Sequence, residues 1–260
     1  MAASSLATSK SAPILLTKRN EIGKNVFDEI KRLNANNVIV VGGKVSISEK
    51  VVSDLKDKNI TVKRLAGDNR YETSYEIAKE LLKSNKAKEA IIVNGFKNVD
   101  ALSVSSLATK ENLPILLNDG NRLSKDIKNI VEDSNIKKMY IIGGRTSLPR
   151  RIEDNIKALD IEYERLAGED RYETSSKIAK YAYENSDKVI LASGENSIDA
   201  LAAGVLTKME KAPMLLVQKR RIPKGISNRI EESKAKKFLL IGGEKTISDR
   251  VKDKVEGLLK

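Results

Sequence analysis

Apolar positions along this chain fall into two patterns. The run Ala90-Ile91-Ile92-Val93, within Glu89–Asn94, is short, continuous and β-branched, which is the pattern of a buried strand. Pro114-Ile115-Leu116-Leu117 and Met139-Tyr140-Ile141-Ile142 repeat it, and a further strand is expected at Val62–Leu65. Continuous rather than alternating apolar strands predict a parallel sheet covered on both faces. Between them the spacing turns helical: Tyr75, Ala78, Leu81 and Leu82 share one face of a helix over 72–84. Further helices are expected at Leu102–Ala108, Leu123–Val131 and Pro149–Leu159. Ser46, Ser147 and Thr246 stand where N-caps are expected, Glu49 is placed to close a capping box, and Pro149 suits a first helical turn. The alternation predicts an α/β fold with open parallel sheets.

The pattern repeats with a period of about 100 residues. Ala12-Pro13-Ile14-Leu15-Leu16 recurs at Leu113–Leu117 and Ala212–Leu216, and Gly42-Gly43 recurs as Gly143-Gly144 and Gly242-Gly243. Arg64-Leu65-Ala66-Gly67 recurs as Arg165-Leu166-Ala167-Gly168, and Arg70-Tyr71-Glu72-Thr73-Ser74 as Arg171-Tyr172-Glu173-Thr174-Ser175. Three divisions follow: 1–62 as the back half of a first module, 63–163 as a second and 164–260 as a third. The front half of the first copy has no counterpart here. The expectation is that Met1 is not the native start and that a complete first module and a secretion signal lie upstream. Ile14, Leu15, Ile39 and Val40 are then expected to lack cover.

Composition narrows the chemistry. The chain has no Cys and no His, so thiol, imidazole and cysteine-zinc chemistry are excluded, no catalytic residue is assigned, and no metal or cofactor is expected. A net charge of +12 favours an acidic partner: nucleic acid, anionic lipid or a polyanionic polysaccharide. Aromatic residues make up only 4%, without Trp, which disfavours base stacking and leaves charge pairing and hydrogen bonds. No apolar run reaches the roughly 20 residues that span a bilayer, so no membrane partner is expected. Residues 1–12 show no signal-peptide pattern.

In an open parallel sheet, ligands bind beyond the carboxyl ends of the strands, and the distinctive motifs fall there. The candidate binding residues are Arg70, Tyr71, Thr73 and Asp100 in the middle copy, with Arg171, Tyr172, Thr174 and Asp199 in the last. The pairs Gly42 and Gly43, Gly143 and Gly144, and Gly242 and Gly243 join them. So do the basic loops Lys18 and Arg19, and Lys219, Arg220 and Arg221. Each has a plainer reading. A Gly-Gly pair is a tight turn before it is an anion cradle. Asp100 and Asp199 suit helix caps, Arg70 and Arg171 suit ion pairs with Glu or a neighbouring module, and a basic run suits a solvated face.

Taken in order, Arg-Leu-Ala-Gly, Asn/Asp-Arg-Tyr-Glu-Thr, Asp-Ala-Leu, Pro-Ile-Leu-Leu and Ile-Gly-Gly resemble the signature of the cell wall binding repeat 2 family across essentially all 260 residues. That resemblance implies tandem Rossmann-like modules packed as a pseudo-threefold array. It implies secreted surface proteins of clostridia and their relatives, located in the cell wall or S-layer. It also implies non-covalent anchoring to an anionic cell-wall polysaccharide, with other S-layer or cell wall proteins as further partners. The chain is therefore read as a binding array and not as an enzyme. The alternatives are part of a peptidoglycan amidase whose catalytic domain lies elsewhere, or polyanion and nucleic-acid binding.

Overall fold

The computed structural model describes residues 2–96 and 102–259. Its strands form three parallel sheets. Strands β1 (Asn37–Val41) and β2 (Thr61–Leu65) make the first. The second runs in the order β4 (Ile115–Asn118), β3 (Glu89–Asn94), β5 (Lys138–Ile142) and β6 (Glu162–Leu166). The third runs β8 (Met214–Val217), β7 (Lys188–Ser193) and β9 (Lys237–Ile241). The continuous apolar strands are the inner ones, with Ala90, Ile91, Ile92 and Val93 fully buried.

The strand that opens each repeat lies in the sheet of the module before it, not in its own. β2 pairs with β1, Val41 opposite Leu65, and β6 pairs with β5, Ile142 opposite Leu166. The sheets remain open and parallel, but the first two are each completed by the opening strand of the following repeat. Pairing therefore runs across residues 63 and 164.

The next helix stays with its own module. Helix α4 (Arg70–Ser84) packs on β4, and α8 (Arg171–Ala182) packs on β8. Each helix has two apolar faces. In α4, Ile77 and Leu81 join Leu6 and Leu65 on the first-module side, while Ala78 joins Ile92 and Leu116. In α8, Ile178 and Ala182 join Leu107 and Leu166, while Ala179 joins Ile190 and Leu215. Strand and helix together rivet each module to the next. The serine that ends the Arg-Tyr-Glu-Thr-Ser motif closes the outer strand. Ser74 Oγ accepts the Leu117 N–H at 3.0 Å and Ser175 Oγ accepts the Leu216 N–H at 3.1 Å, giving edge-strand donors a partner.

Three equivalent short helices meet at the centre: α1 (Ala3–Ser9), α5 (Ser105–Lys110) and α10 (Leu206–Met209). The matched positions Ser4, Ser105 and Gly204 converge there. A Cβ built on Gly204 would lie 2.7 Å from Ser105 Oγ and 3.3 Å from Ser4 Cβ. Buried Thr109 and Thr207 share a hydroxyl–hydroxyl hydrogen bond of 2.5 Å across the same junction. Small residues let three backbones approach on a common axis, which accounts for the pseudo-threefold arrangement.

Other expectations need correction. Ile14–Leu16 forms no strand, because the partner it would take, the counterpart of β3 or β7, is not among these residues. Leu15 is 37% exposed, whereas its counterparts Leu116 and Leu215 are fully buried; Leu16 is 48% exposed, whereas its counterpart Leu216 is fully buried and Leu117 half-buried. Ile14 and Ile39 are half-buried, but Val40 is buried at 5%, since Ile30, Val51, Val52 and Leu55 cover it. Ser46, Ser147 and Thr246 do not cap helices. Each sits in the turn just before, with its N–H on Gly43, Gly144 or Gly243 O. Helices α3 (Glu49–Lys56), α7 (Arg150–Lys157) and α12 (Asp249–Leu258) start two residues later than the caps predicted, after Ser48, Pro149 and Ser248. Glu49 is thus the first helical residue and closes no capping box.

A side chain at position 204 tests the axis. Gly204→Leu should destabilise the chain by roughly 1–3 kcal/mol through overpacking, with Gly204→Ala in between. Urea unfolding midpoints of the three proteins measure it.

Candidate functional site

The recurrent motifs gather at two seams, one between the first and second modules and one between the second and third. Each seam is built from a Gly-Gly turn, the opening strand, a short linking loop and the start of the riveting helix.

The Gly-Gly turn comes first. Gly42, Gly143 and Gly242 have φ of 120°, 97° and 123°, a region only glycine enters without strain. Their N–H groups are spent where a strand follows: Gly42 donates to Leu65 O at 2.9 Å and Gly143 to Leu166 O at 3.0 Å. The carbonyls are held by the arginine of the opening strand. Arg64 Nη1 donates to Gly42 O at 2.7 Å and Ile47 O at 2.9 Å. Arg165 Nη1 donates to Gly143 O at 2.6 Å and its Nη2 to Leu148 O at 2.9 Å. Arg165 Nε also reaches buried Glu153 at 2.7 Å. Burial pushes the Glu153 carboxyl upward, but the Arg165 guanidinium and the nearby Arg145 outweigh it and hold it below the ordinary carboxylate range. Gly42, Gly43, Gly143 and Gly144 therefore form an arginine-clamped turn. Gly242 and Gly243 form the same turn in the third module, where no such strand is paired among the described residues.

The linking loops are capped reciprocally. Asn69 Oδ1 accepts the Tyr71 and Glu72 N–H groups, while Glu72 accepts the Asp68 N–H at 2.9 Å. Asp170 and Glu173 reproduce this around α8. Thr73 and Thr174 accept the N–H of Gly67 and Gly168 at 3.1 and 3.0 Å. A Cβ on Gly67 would collide with Glu72, and one on Gly168 with Glu173. Thr73 and Thr174 are thus bonded within their loops.

Arg70 and Tyr71 face the other way, onto the loop after β3. Arg70 Nη1 donates to Gly95 O at 2.8 Å and its guanidinium lies 5.3 Å from the Phe96 ring centre. Tyr71 meets Phe96 edge-on at 5.9 Å. Phe96 is 66% exposed, so the first seam presents an aromatic face beside an exposed arginine. Burial raises the Tyr71 hydroxyl pKa, helped by Asp119. In the second seam, Arg171 Nη1 donates to Gly194 O at 2.7 Å and Tyr172 is buried. Glu195 stands where the first seam has Phe96. Burial, then the Glu195 charge, raises the Tyr172 pKa. The two seams share a frame and differ in surface.

Asp100 lies outside the described residues. Its counterpart Asp199 is in the first turn of α9 (Ser197–Ala203), but the cap is Asn196, whose Oδ1 accepts the Ile198 N–H. The capping expectation for Asp199 is corrected accordingly. Asp199 instead lies close to the Gly242 turn, with Oδ2 3.1 Å from where a Gly242 Cβ would be.

Lys18, Arg19, Arg220 and Arg221 are exposed and Lys219 is half-buried. Lys18 pairs with Glu21 at 2.6 Å and Arg221 with Gln218. In the first and third modules, the basic loop lies against the start of the last helix: Ser48 N–H donates to Arg19 O and Ser248 N–H to Lys219 O. The Arg64 and Arg165 clamps, Glu153 and the Phe96 platform were missed by the sequence reading. The first two carried a signal, since Arg precedes Leu-Ala-Gly in both copies; Phe96 is unmatched in the repeat and carried none.

Among the described residues, no group of three or more acidic side chains is placed to hold a metal ion, and no helix is long and apolar enough to cross a membrane.

Parallel α/β modules in tandem, joined by strand exchange at arginine-clamped seams, define the class of this protein. The chain belongs to the cell wall binding domain 2 (CWB2) family, which it matches over residues 1–52, 64–153 and 165–252. It is similar to two solved Clostridium difficile structures. Cwp6 has a TM-score of 0.93 at 32% identity over 99% of this chain and 41% of that one. Cwp8 has a TM-score of 0.89 at 30% identity over 99% and 44%. Two Bacillus subtilis proteins are also similar. The N-acetylmuramoyl-L-alanine amidase LytC is 26% identical over 98% of this chain, and the amidase enhancer 30% identical over 95%. The chain spans 50% of the former and 34% of the latter.

The Arg165 clamp is expected to carry stability. Arg165→Ala strands a buried carboxylate and should cost about 3–5 kcal/mol at neutral pH. Arg64→Ala should cost less, because its acidic neighbour Glu49 is half exposed. Glu153 has a depressed folded pKa, so its contribution is present above the unfolded carboxylate value and lost as pH falls through the folded one. The gap between wild type and Arg165→Ala should therefore narrow in acid. Urea unfolding at neutral and acidic pH reads both effects.

Proposed function

We propose that this chain anchors a surface protein non-covalently to an anionic polysaccharide of the Gram-positive cell wall, outside the cell. The observation that carries this reading is the recurrence of exposed basic residues beside the seams and beside the last helix of a module, in a chain of net charge +12. Arg70 and Arg171 each commit one guanidinium nitrogen to a loop carbonyl, which fixes the planar fork at the seam. Such a fork pairs with phosphate or carboxylate in two-point fashion. Lys18, Arg19, Lys219, Arg220 and Arg221 extend the positive surface, and Phe96 offers a sugar ring an apolar face beside Arg70. Asp68, Glu72, Glu169 and Glu173 lie at the same seams, but Glu72 and Glu173 are tied into the helix caps. On this reading the array binds and does not catalyse, and other wall or S-layer proteins meet it on the same surface.

Similarity to LytC supports a second use: such an array can deliver a wall hydrolase whose catalytic part lies outside it. Both uses share the binding step.

Sedimentation with purified walls tests the proposal. The chain should pellet with intact walls and stay in solution when their anionic polymer has been stripped. Binding should fall steeply with salt, because each neutralised polymer charge releases counterions. Reversing Arg70 and Arg171 together, or Lys219, Arg220 and Arg221 together, should weaken pelleting more than reversing an equal number of scattered lysines. Pelleting that ignores salt and polymer stripping would overturn the electrostatic reading. Equal affinity for DNA at matched salt would replace the wall polymer with polyanions in general.

A further inference from the structure

The two seams share a frame, yet the side chains that the frame presents differ in kind. In the first, Phe96 is 66% exposed and the Arg70 guanidinium lies over its ring at 5.3 Å, which leaves the opposite ring face open. Two further contacts fix the ring. Tyr71 meets it edge-on at 5.9 Å, and the Phe96 N–H donates to Asn94 Oδ1 at 2.8 Å. Gly95 makes this close approach possible, since a Cβ there would come within 2.7 Å of the Tyr71 ring. A single exposed apolar side chain on a surface needs no explanation. An aromatic ring held on one side and bare on the other is different, because it is already ordered before anything binds.

Polar groups around the ring make the site a mixed one. Arg70 is exposed, and among the described residues its one hydrogen bond runs from Nη1 to Gly95 O at 2.8 Å. The rest of its fork is free to take an anion. The Tyr71 hydroxyl is buried and has no hydrogen-bond partner among the described residues. The nearby Asp119 carboxylate turns instead to the Asn121 N–H at 2.8 Å. Buried polar groups without partners are few in folded proteins, and this one belongs to the residue that props the ring.

The second seam lacks each of these features. Glu195 replaces Phe96 and is exposed, so a negative charge stands where the first seam has a ring. Arg171 is half-buried where Arg70 is exposed. Gln218 takes the place of Asp119 and hydrogen-bonds the Tyr172 hydroxyl. Glu195 also accepts the Lys219 N–H at 3.4 Å, which ties this loop to the basic run.

We infer that the first seam holds a saccharide-ring subsite, in which Phe96 stacks on the apolar face of a sugar and Arg70 takes the anionic group that the sugar carries, while the second seam offers charge alone. Phe96 is then the residue that lets the chain tell a charged glycan from a polyanion without rings, because an aromatic face adds apolar contact that charge pairing lacks. The inference rests on the wall-polymer reading and assigns ring recognition to one seam of the two.

The test titrates the full chain with glucose 1-phosphate and follows backbone amide shifts by NMR. The expected result is saturable shifts at Tyr71, Gly95 and Phe96 with a Kd of about 10 mM or tighter, and none at Tyr172, Gly194 and Glu195. Inorganic phosphate and glucose should each bind roughly tenfold more weakly, because each supplies half of what the site meets. Phe96→Glu, which copies the second seam, should lose the glucose 1-phosphate shifts, and Phe96→Tyr should keep them. An equal response to inorganic phosphate, equal shifts at both seams, unchanged binding by Phe96→Glu, or no saturable shift at the first seam would overturn the inference. Pelleting with walls separates this inference from the reading beneath it. A chain that pellets without the ring-dependent shifts keeps the anchor and loses the subsite; one that shows the shifts but never pellets keeps the subsite and loses the anchor.

Discussion

The structure depends on one displacement: a repeat's opening strand pairs in the previous sheet while its next helix packs in its own. Buried backbone donors and acceptors need partners, and β2 and β6 take theirs along their full lengths from β1 and β5 of the preceding module. The helices that follow cannot then move without dragging a strand across a module border. Ile77 and Ala78, adjacent in sequence, lie in different cores, as do Ile178 and Ala179. A linker of the usual flexible kind would leave modules free to turn. Here the link is a five-residue strand, a capped loop and a helix buried on two faces.

That arrangement explains why the most recurrent residues are structural first. Gly67 and Gly168 leave room for Glu72 and Glu173 to fold back over the loop, and Arg64 and Arg165 quench the carbonyls that the Gly-Gly turn leaves exposed. Glu153 adds charge neutrality beside the half-buried arginine of the second seam. With the frame fixed, the proposed function assigns ligand contact to residues held by the frame but exposed, such as Arg70 and Phe96. These are the positions where the two seams diverge.

Much of this was legible in the chain. Inner strands announced themselves as unbroken β-branched runs, and the period of the motifs gave the tandem order. The partner of each opening strand was not legible, because Val62-Lys63-Arg64-Leu65 has the same mixed pattern whichever sheet it joins; only geometry places it against β1. Pro13–Leu16 shows the complementary failure. Its composition matches that of β4 and β8, yet it forms no strand, since a strand is defined by its neighbour. Helix starts were misplaced because Ser46, Ser147 and Thr246 offer the right side chain two residues too early. Asp199 looked like a cap for the same reason, with Asn196 lying closer to the true start.

A repeat whose borders fall inside its sheets has a further consequence for how many sites it can offer. Seams, not modules, carry the clamped turn, the capped loop and the Arg-Tyr pair. Among the described residues, three modules in a row make two such seams. Pseudo-threefold packing at Ser4, Ser105 and Gly204 already fixes the three modules around a common axis. On the proposed function, two such seams held rigidly around one axis act as linked sites, and for a ligand with repeating charges that linkage raises avidity without any change in the individual contacts.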